Sequence, residues 1–322
     1  MQALYRHVLI PHMMYAHCMR LTHANGCSTM NLHADEGNGV DMRIVVTGAH
    51  GQLGRAVVAR LQTRHDVIPL GHADIELTDS ASVAQLAALR PAAIVHAAAM
   101  TNVDGCAQDP DQAYRVNALG TRWVAMAAKR SHARLVVIST NEVFDGQATH
   151  PYGEYDVANP INPYARSKYA GEQAAREVLD RLYIVRVAWL FGGPRNFVRT
   201  ILRLATTQPH LRVVHDEIGS PTYADDVADA LPQLLESDAY GTYHFVNEGA
   251  CSRYELARAV LDAAGLSHVA VTPITLAEYP RPSRVPPYTP LANYVGRAMG
   301  VQFRPWQEAV TAFVDVCRKE QA

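Results

Sequence analysis

The chain predicts an α/β protein, a Rossmann-type doubly wound parallel sheet followed by a smaller C-terminal substrate-binding lobe. Three observations carry the prediction. Short apolar, β-branched runs alternate with segments of helical periodicity from Met42 to about residue 190. The first run ends in a glycine-rich turn that opens the first helix. Beyond 190 the alternation loosens and prolines cluster between Pro280 and Pro290. Alternating strands and helices require right-handed crossovers, hence parallel strands. Such strands read as unbroken apolar runs because helices cover both faces of the sheet.

The elements follow in order. Met42 to Gly48 is a buried strand by composition, and Leu53, Val57, Val58 and Leu61 give residues 52–63 a helical stripe. Next come a strand over 66–70, a helix near 80–89, a strand over 93–98 and a long helix over 109–131. A strand over 135–140, a polar loop, a helix over 163–182 and a strand over 184–190 complete the sheet domain. The expected organisation is an N-terminal extension over 1–41, an NADP-binding Rossmann domain over 42–190, and a lobe over 191–322 with segments returning to the Rossmann core.

Composition narrows the function. Of 322 residues, 48% are hydrophobic and 19% charged, ordinary for a globular protein. A formal net charge of -2 argues against a nucleic-acid or anionic-membrane binder, which needs a basic excess. No apolar run approaches the roughly 20 residues that span a bilayer. The five cysteines, at 18, 27, 106, 251 and 317, form no CxxC pair. They predict neither a disulfide framework nor a zinc site, and fit a reducing cytoplasm. Residues 1–41 hold five of the nine methionines and five of the fifteen histidines, without apolar periodicity. Pro11 and His12 interrupt Val8-Leu9-Ile10, so a signal peptide is not expected. A poorly ordered extension is expected there instead of a histidine metal tract, and no metal site is expected elsewhere.

Gly48-Ala49-His50-Gly51-Gln52-Leu53-Gly54 lies between the first strand and first helix. Glycines there permit a tight turn and close backbone approach, and the helix N-terminus offers free N–H groups to a pyrophosphate. Selection for NAD would place an acid near the end of the second strand. Leu70 and Gly71 occupy that place, Asp74 follows three residues later, and His72 is within reach of a 2′-phosphate. NADP is therefore favoured, with NAD the alternative.

Tyr164 and Lys168 stand at i and i+4, on one helix face about 6 Å apart along the axis. An ammonium there is expected to lower the phenol pKa towards values useful for proton transfer. Thr140 ends the strand that precedes this helix, where a doubly wound sheet opens its ligand crevice. Its hydroxyl can donate to a carbonyl beside the tyrosine.

These segments resemble the extended short-chain dehydrogenases and, within them, the dTDP-4-dehydrorhamnose reductase family. The resemblance runs from Met42 to about Phe313 and is carried by Thr47–Gly54, His96–Asp104, Ser139–Gly146, Asn162–Glu172, Ala188–Gly192, Asn196–Val198 and Gly219–Asp226. It implies reduction by NADPH or NADH of the C4 ketone of a nucleotide sugar, dTDP-4-dehydro-L-rhamnose giving dTDP-L-rhamnose. Tyr164 would protonate the carbonyl oxygen, Lys168 would tune Tyr164 and bind the nicotinamide ribose, and Thr140 would orient the carbonyl. Ala98, Ala99 and Met100 would line the cofactor, with Glu76 and Leu77 near its adenine. Thr101, Val103, Asn141, Glu142, Trp189 and Asn196 would meet the sugar nucleotide. Core packing is the alternative for Trp189, and a helix N-cap for Asn196.

The chain departs from the family where Asn141-Glu142 replaces the usual Asp-Tyr. It departs again where Val285-Pro286 before Thr289 stands for a late Arg-Pro near a serine. Both changes leave the sugar open. A non-catalytic NADP-binding regulatory subunit, like that of methionine adenosyltransferase, and a nucleotide-sugar epimerase remain alternatives. The partner expected is the sugar nucleotide, with a homodimer open.

Overall fold

The computed structural model describes residues 41–320. The expectations for the extension up to residue 40 lie outside the described residues. Five strands follow the predicted order: β1 (Arg43–Thr47), β2 (Asp66–Leu70), β3 (Ala93–His96), β4 (Arg134–Thr140) and β5 (Leu182–Val187). A sixth, Gly241–His244, returns from the C-terminal half and pairs with β5. The sheet order is Gly241–His244, β5, β4, β3, β1, β2, with every pairing parallel. Chain direction across the sheet reverses at β1, which pairs with β2 on one side and β3 on the other. A ligand crevice opens beyond the carboxyl ends of strands at such a reversal.

Helices cover both faces. On one side lie α1 (Gln52–Leu61) and α8 (Ala224–Leu235), and the core joins Leu53, Val57 and Leu61 to Val46, Val185, Val227 and Leu231. Short helices α2 (Ser80–Ala84), α3 (Val103–Gln108) and α4 (Pro110–Tyr114) precede the longer α5 (Gly120–Arg130) and α6 (Pro163–Val178). The other face of the sheet packs Val124, Ala128 and Ala175 against Val45, Ile94 and Ile184. Each β1 residue from Ile44 to Thr47 is buried, as two covered faces demand.

The lobe has its own core, in which Phe191, Val198, Leu256, Val260, Trp306 and Phe313 meet. It is built from α7 (Phe197–Ala205), α9 (Arg253–Ala263) and α11 (Trp306–Lys319), with three two-stranded pairings, while the small helix α10 (Tyr294–Ala298) packs on the returning sixth strand. α8, Tyr243, Phe245, Val301 and Phe303 belong to the Rossmann core instead.

Three elements differ from the sequence reading. The long helix is interrupted by a π-helical segment over Arg115–Leu119, between α4 and α5. The helix expected to reach 182 stops at Val178, because Leu179 turns extended and Leu182 already starts β5. The strand expected over 184–190 breaks after Val187, where Trp189 adopts φ +40° before a separate short strand at Leu190–Phe191.

Candidate active site

One cleft of about 830 Å³ runs along the carboxyl ends of β1 to β5. Its first wall is the glycine turn. Gly48 has φ +70°, and a Cβ there would lie 2.6 Å from Ala98 N. At Gly54 a Cβ would lie 2.1 Å from Gly48 O, so helix and turn meet backbone to backbone. Gly51 caps α1 without any side-chain hydrogen bond, and the first turn carries no acid. The N–H groups of that turn therefore face the cleft with an anion's worth of unmet demand. Gly48, His50, Gly51, Gln52, Leu53 and Gly54 all line it, as do His72, Leu77, Ala98, Ala99 and Met100.

One cofactor-side expectation changes. Glu76 is not in the lining: its carboxylate is turned to Thr78, accepting from N at 2.9 Å and from Oγ1 at 2.7 Å. Those bonds hold its pKa below the usual value. Asp74 does not line the cleft either; its carboxylate folds back and accepts from Gly71 N at 2.7 Å.

The second wall carries the reactive groups. Thr140 closes β4, and Tyr164 and Lys168 project from the first turns of α6. That helix begins firmly: Asn162 accepts from Ala165 N at 2.8 Å and Pro163 occupies the first helical position. Thr140, Tyr164 and Lys168 all line the cleft and all are buried. Lys168 Nζ donates to Ile138 O at 2.7 Å, and burial draws its pKa down to about 8, partly opposed by the Glu172 carboxylate.

The sequence reading assigned the tyrosine pKa to Lys168. Here burial acts first and pushes the phenol pKa up, the Glu142 charge pushes it further, and the Thr140 hydroxyl pulls it back. Tyr164 is consequently held as a phenol, the form that gives a proton to a carbonyl. Its ring packs with Cys106 and Ala113, and Met100 and Val103 flank them.

Asn117 is one residue that sequence reasoning missed. It is buried in the π-helical segment, donates to Ser167 Oγ and Met100 O at 3.0 Å each, and accepts from Met100 N at 2.8 Å. One amide thus ties α6 to the segment after β3. The signal was the π-turn itself, which single-sequence periodicity does not show.

The remaining wall holds Thr101, Val103, Asn141, Glu142 and Trp189, with Arg195 and Arg253 added by the structure. Asn141 is anchored by Thr289 Oγ1 at 2.6 Å, and Glu142 by Asn162 Nδ2 at 2.7 Å. Arg253 stacks 3.6 Å over the Trp189 ring while pairing with Glu217 at 3.0 Å. Arg253 was findable. It follows Ser252 in a Ser252/Glu255 capping box, and a cation at a helix N-terminus opposes the dipole. Asn196 does not line the cleft; it caps α7, accepting from Arg199 N at 3.0 Å and donating to Gly193 O at 2.7 Å. The N-cap alternative describes it. The Gly219–Asp226 segment acts from behind: a Cβ at Gly219 would lie 2.5 Å from Trp189 Cε2, and Asp226 forms a two-point pair with Arg304 at 2.9 and 2.7 Å.

A glycine-lined dinucleotide turn, a strand-terminal hydroxyl and a Tyr/Lys helix in one cleft define an extended short-chain dehydrogenase/reductase. Comparison with known proteins specifies the family. The model of the RmlD substrate binding domain matches residues 42–319. Spore coat polysaccharide biosynthesis protein SpsK of Bacillus subtilis is 38% identical over 84% of this chain and 96% of its own length. The dTDP-4-dehydrorhamnose reductase of Aggregatibacter actinomycetemcomitans is 36% identical over 83% of this chain and 97% of its own. A dTDP-4-keto-6-deoxy-D-glucose reductase of Streptomyces niveus is 36% identical over 84% and 95%. Among solved structures, dTDP-4-dehydrorhamnose reductase of Bacillus anthracis in complex with NADP superposes with TM-score 0.82 at 37% identity, covering 85% of this chain and 98% of that one. The chain belongs to the dTDP-4-dehydrorhamnose reductase family.

Proposed function

We propose that this protein reduces the C4 ketone of a dTDP-linked 6-deoxy sugar, with dTDP-4-dehydro-L-rhamnose giving dTDP-L-rhamnose as the first reading. The observation that carries it is the phenol of Tyr164, kept protonated by burial, beside the Thr140 hydroxyl at the end of β4. The glycine turn fits the pyrophosphate of NADP: Gly48 and Gly54 let strand, turn and helix meet backbone to backbone, and the first turn of α1 carries no acid. Lys168 would hold the nicotinamide ribose, and Ala98 to Met100 the face of the cofactor. When bound in reduced form the cofactor supplies hydride. The rest falls to the chain. Thr140 donates to the carbonyl oxygen and draws electron density from C4, and Tyr164 passes its proton to the oxygen as charge develops there. Asn117, through Ser167 and Met100, keeps the two walls in register. Trp189 and Arg253 form the surface against which the sugar nucleotide lies. The names of the relatives support two sugars, the dehydrorhamnose and the keto-deoxyglucose.

The test is oxidation of NADPH by purified protein with a panel of dTDP-4-keto sugars, followed at the nicotinamide absorbance. Turnover with one of them is expected. Tight NADPH binding with no turnover on any would replace the reductase reading with that of a non-catalytic NADP-binding subunit.

A further inference from the structure

Hydride transfer and protonation occupy Thr140 and Tyr164 and leave Glu142 with no task. Yet this carboxylate lines the same cleft, two residues beyond Thr140, and its charge is felt at Tyr164. Oε2 is fixed by Asn162 Nδ2 at 2.7 Å, and Asn162 is itself pinned by the N-terminus of α6 and by Arg284 O at 3.0 Å. Among the described residues nothing hydrogen-bonds to Oε1. Among the described residues no Arg or Lys forms an ion pair with it, although the Arg281 and Arg253 charges are felt there. Arg253 is engaged by Glu217 at 3.0 Å, and Arg281 by Asp104 at 3.0 Å. A carboxylate placed in such a cleft without an ion pair costs stability, so a purely structural role accounts for it poorly. Burial and the neighbouring Glu217 raise its pKa, while Asn162 and the Arg281 and Arg253 charges oppose them without cancelling them. Raised basicity is what a proton acceptor needs.

We propose that Glu142 is an acid–base residue of this cleft that removes and returns a proton on a carbon flanking the substrate carbonyl. The inference rests on the keto-sugar reading above. Such a hydrogen is acidic because its electron pair can delocalise onto the carbonyl oxygen, where Thr140 and Tyr164 already donate. In the step, the C–H bond breaks and its electron pair forms a C=C bond. The carbonyl π pair moves to oxygen, and the proton passes to Glu142 Oε1. Reversal returns a proton, now exchanged with solvent, to the same carbon. Nothing is oxidised or reduced, so no co-reactant is needed.

The experiment uses the full chain with NADP⁺, no reductant, and dTDP-4-keto-6-deoxy-D-glucose in D₂O. Proton NMR follows loss of the C3 and C5 hydrogens against a protein-free blank. The wild type is expected to exchange one of them on the order of 10² times faster than the blank. Glu142→Gln should lower exchange about 100-fold and NADPH-dependent reduction by much less, shifting the ratio of the two rates at least about 10-fold. Glu142→Asp should recover part of the exchange. A structural defect would take both rates down together, and a melting curve identifies a variant that fails to fold. Reduction without exchange above the blank overturns the proposal and leaves the reductase reading intact, as does exchange persisting in Glu142→Gln. If neither exchange nor reduction occurs with any keto sugar of the panel, both readings fall.

Discussion

The two reactive side chains of α6 differ in what burial does to them, and each difference can be measured. Burial keeps Tyr164 protonated, which suits a donor. Tyr164→Phe removes only the hydroxyl and leaves the ring packed against Cys106 and Ala113. General acid catalysis contributes about 10²–10⁴-fold, or roughly 3–5 kcal/mol of barrier, so kcat and kcat/KM should fall together by that factor. NADPH affinity, read by fluorescence titration, should stay the same. Near-normal kcat with chemistry rate-limiting would transfer the donor role elsewhere. Lys168 is the reverse case, a charge that burial disfavours, drawn down to about pH 8. Lys168→Met fills the same space without the charge. It should weaken NADPH and slow turnover while its melting temperature holds or rises. A fall of several degrees would mean that the ammonium stabilises the fold.

At the scale of elements, the position of the chemistry depends on how closely α6 approaches its neighbours. A Cβ at Gly171 would lie 2.3 Å from Asn117 O and 3.2 Å from Thr121 Oγ1. Gly171→Ala must therefore move α6 off the π-helical segment. Overpacking of this kind costs about 1–3 kcal/mol or more, and each kcal/mol is worth about 2–4 °C in a protein somewhat smaller than this. Because Tyr164 and Lys168 ride on the same helix, kcat should drop with it. An unchanged melting temperature would show that the helices accommodate the methyl. This contact also marks the limit of what sequence discloses. The strands, the glycine turn and the Tyr/Lys pair are local patterns, exposed by unbroken apolar runs, glycine spacing and the 3.6-residue helical period. Asn117 matters through a π-turn and Arg253 through stacking on Trp189, contacts between residues 50 and 64 positions apart. No period encodes those.

Across the whole molecule, buried histidines link the site to acid stability. His96 ends β3 between Thr47 Oγ1 at 2.7 Å and Thr121 Oγ1 at 3.2 Å. Thr121 spends its own proton on Asn117 O at 2.7 Å, so His96 Nε2 must donate to it and Nδ1 must accept from Thr47. His244 lies on the returning sixth strand, where Nδ1 donates to Tyr152 O and Ala292 O and buried Nε2 has no partner among the described residues. Burial lowers both pKa values to about 3, helped by Lys168 at His96 and by Arg186 at His244. The sign follows directly. Above about pH 6.5 neither folded nor unfolded chain protonates these rings, and their full contribution is present. Between about 6.5 and 3 the unfolded chain binds protons that the folded chain refuses. Stability then falls with pH, by up to about 1.4 kcal/mol per unit for each histidine. Glu142, with its raised pKa, works in the opposite direction over its own range. Two histidines outweigh one carboxylate, so melting temperature should decline from pH 7 to pH 5. In His244→Asn the amide still donates to the two carbonyls but no longer titrates. That variant should start less stable at pH 7 and lose less on acidification. Equal slopes for wild type and variant would remove His244 from the account and leave His96 to explain the whole decline.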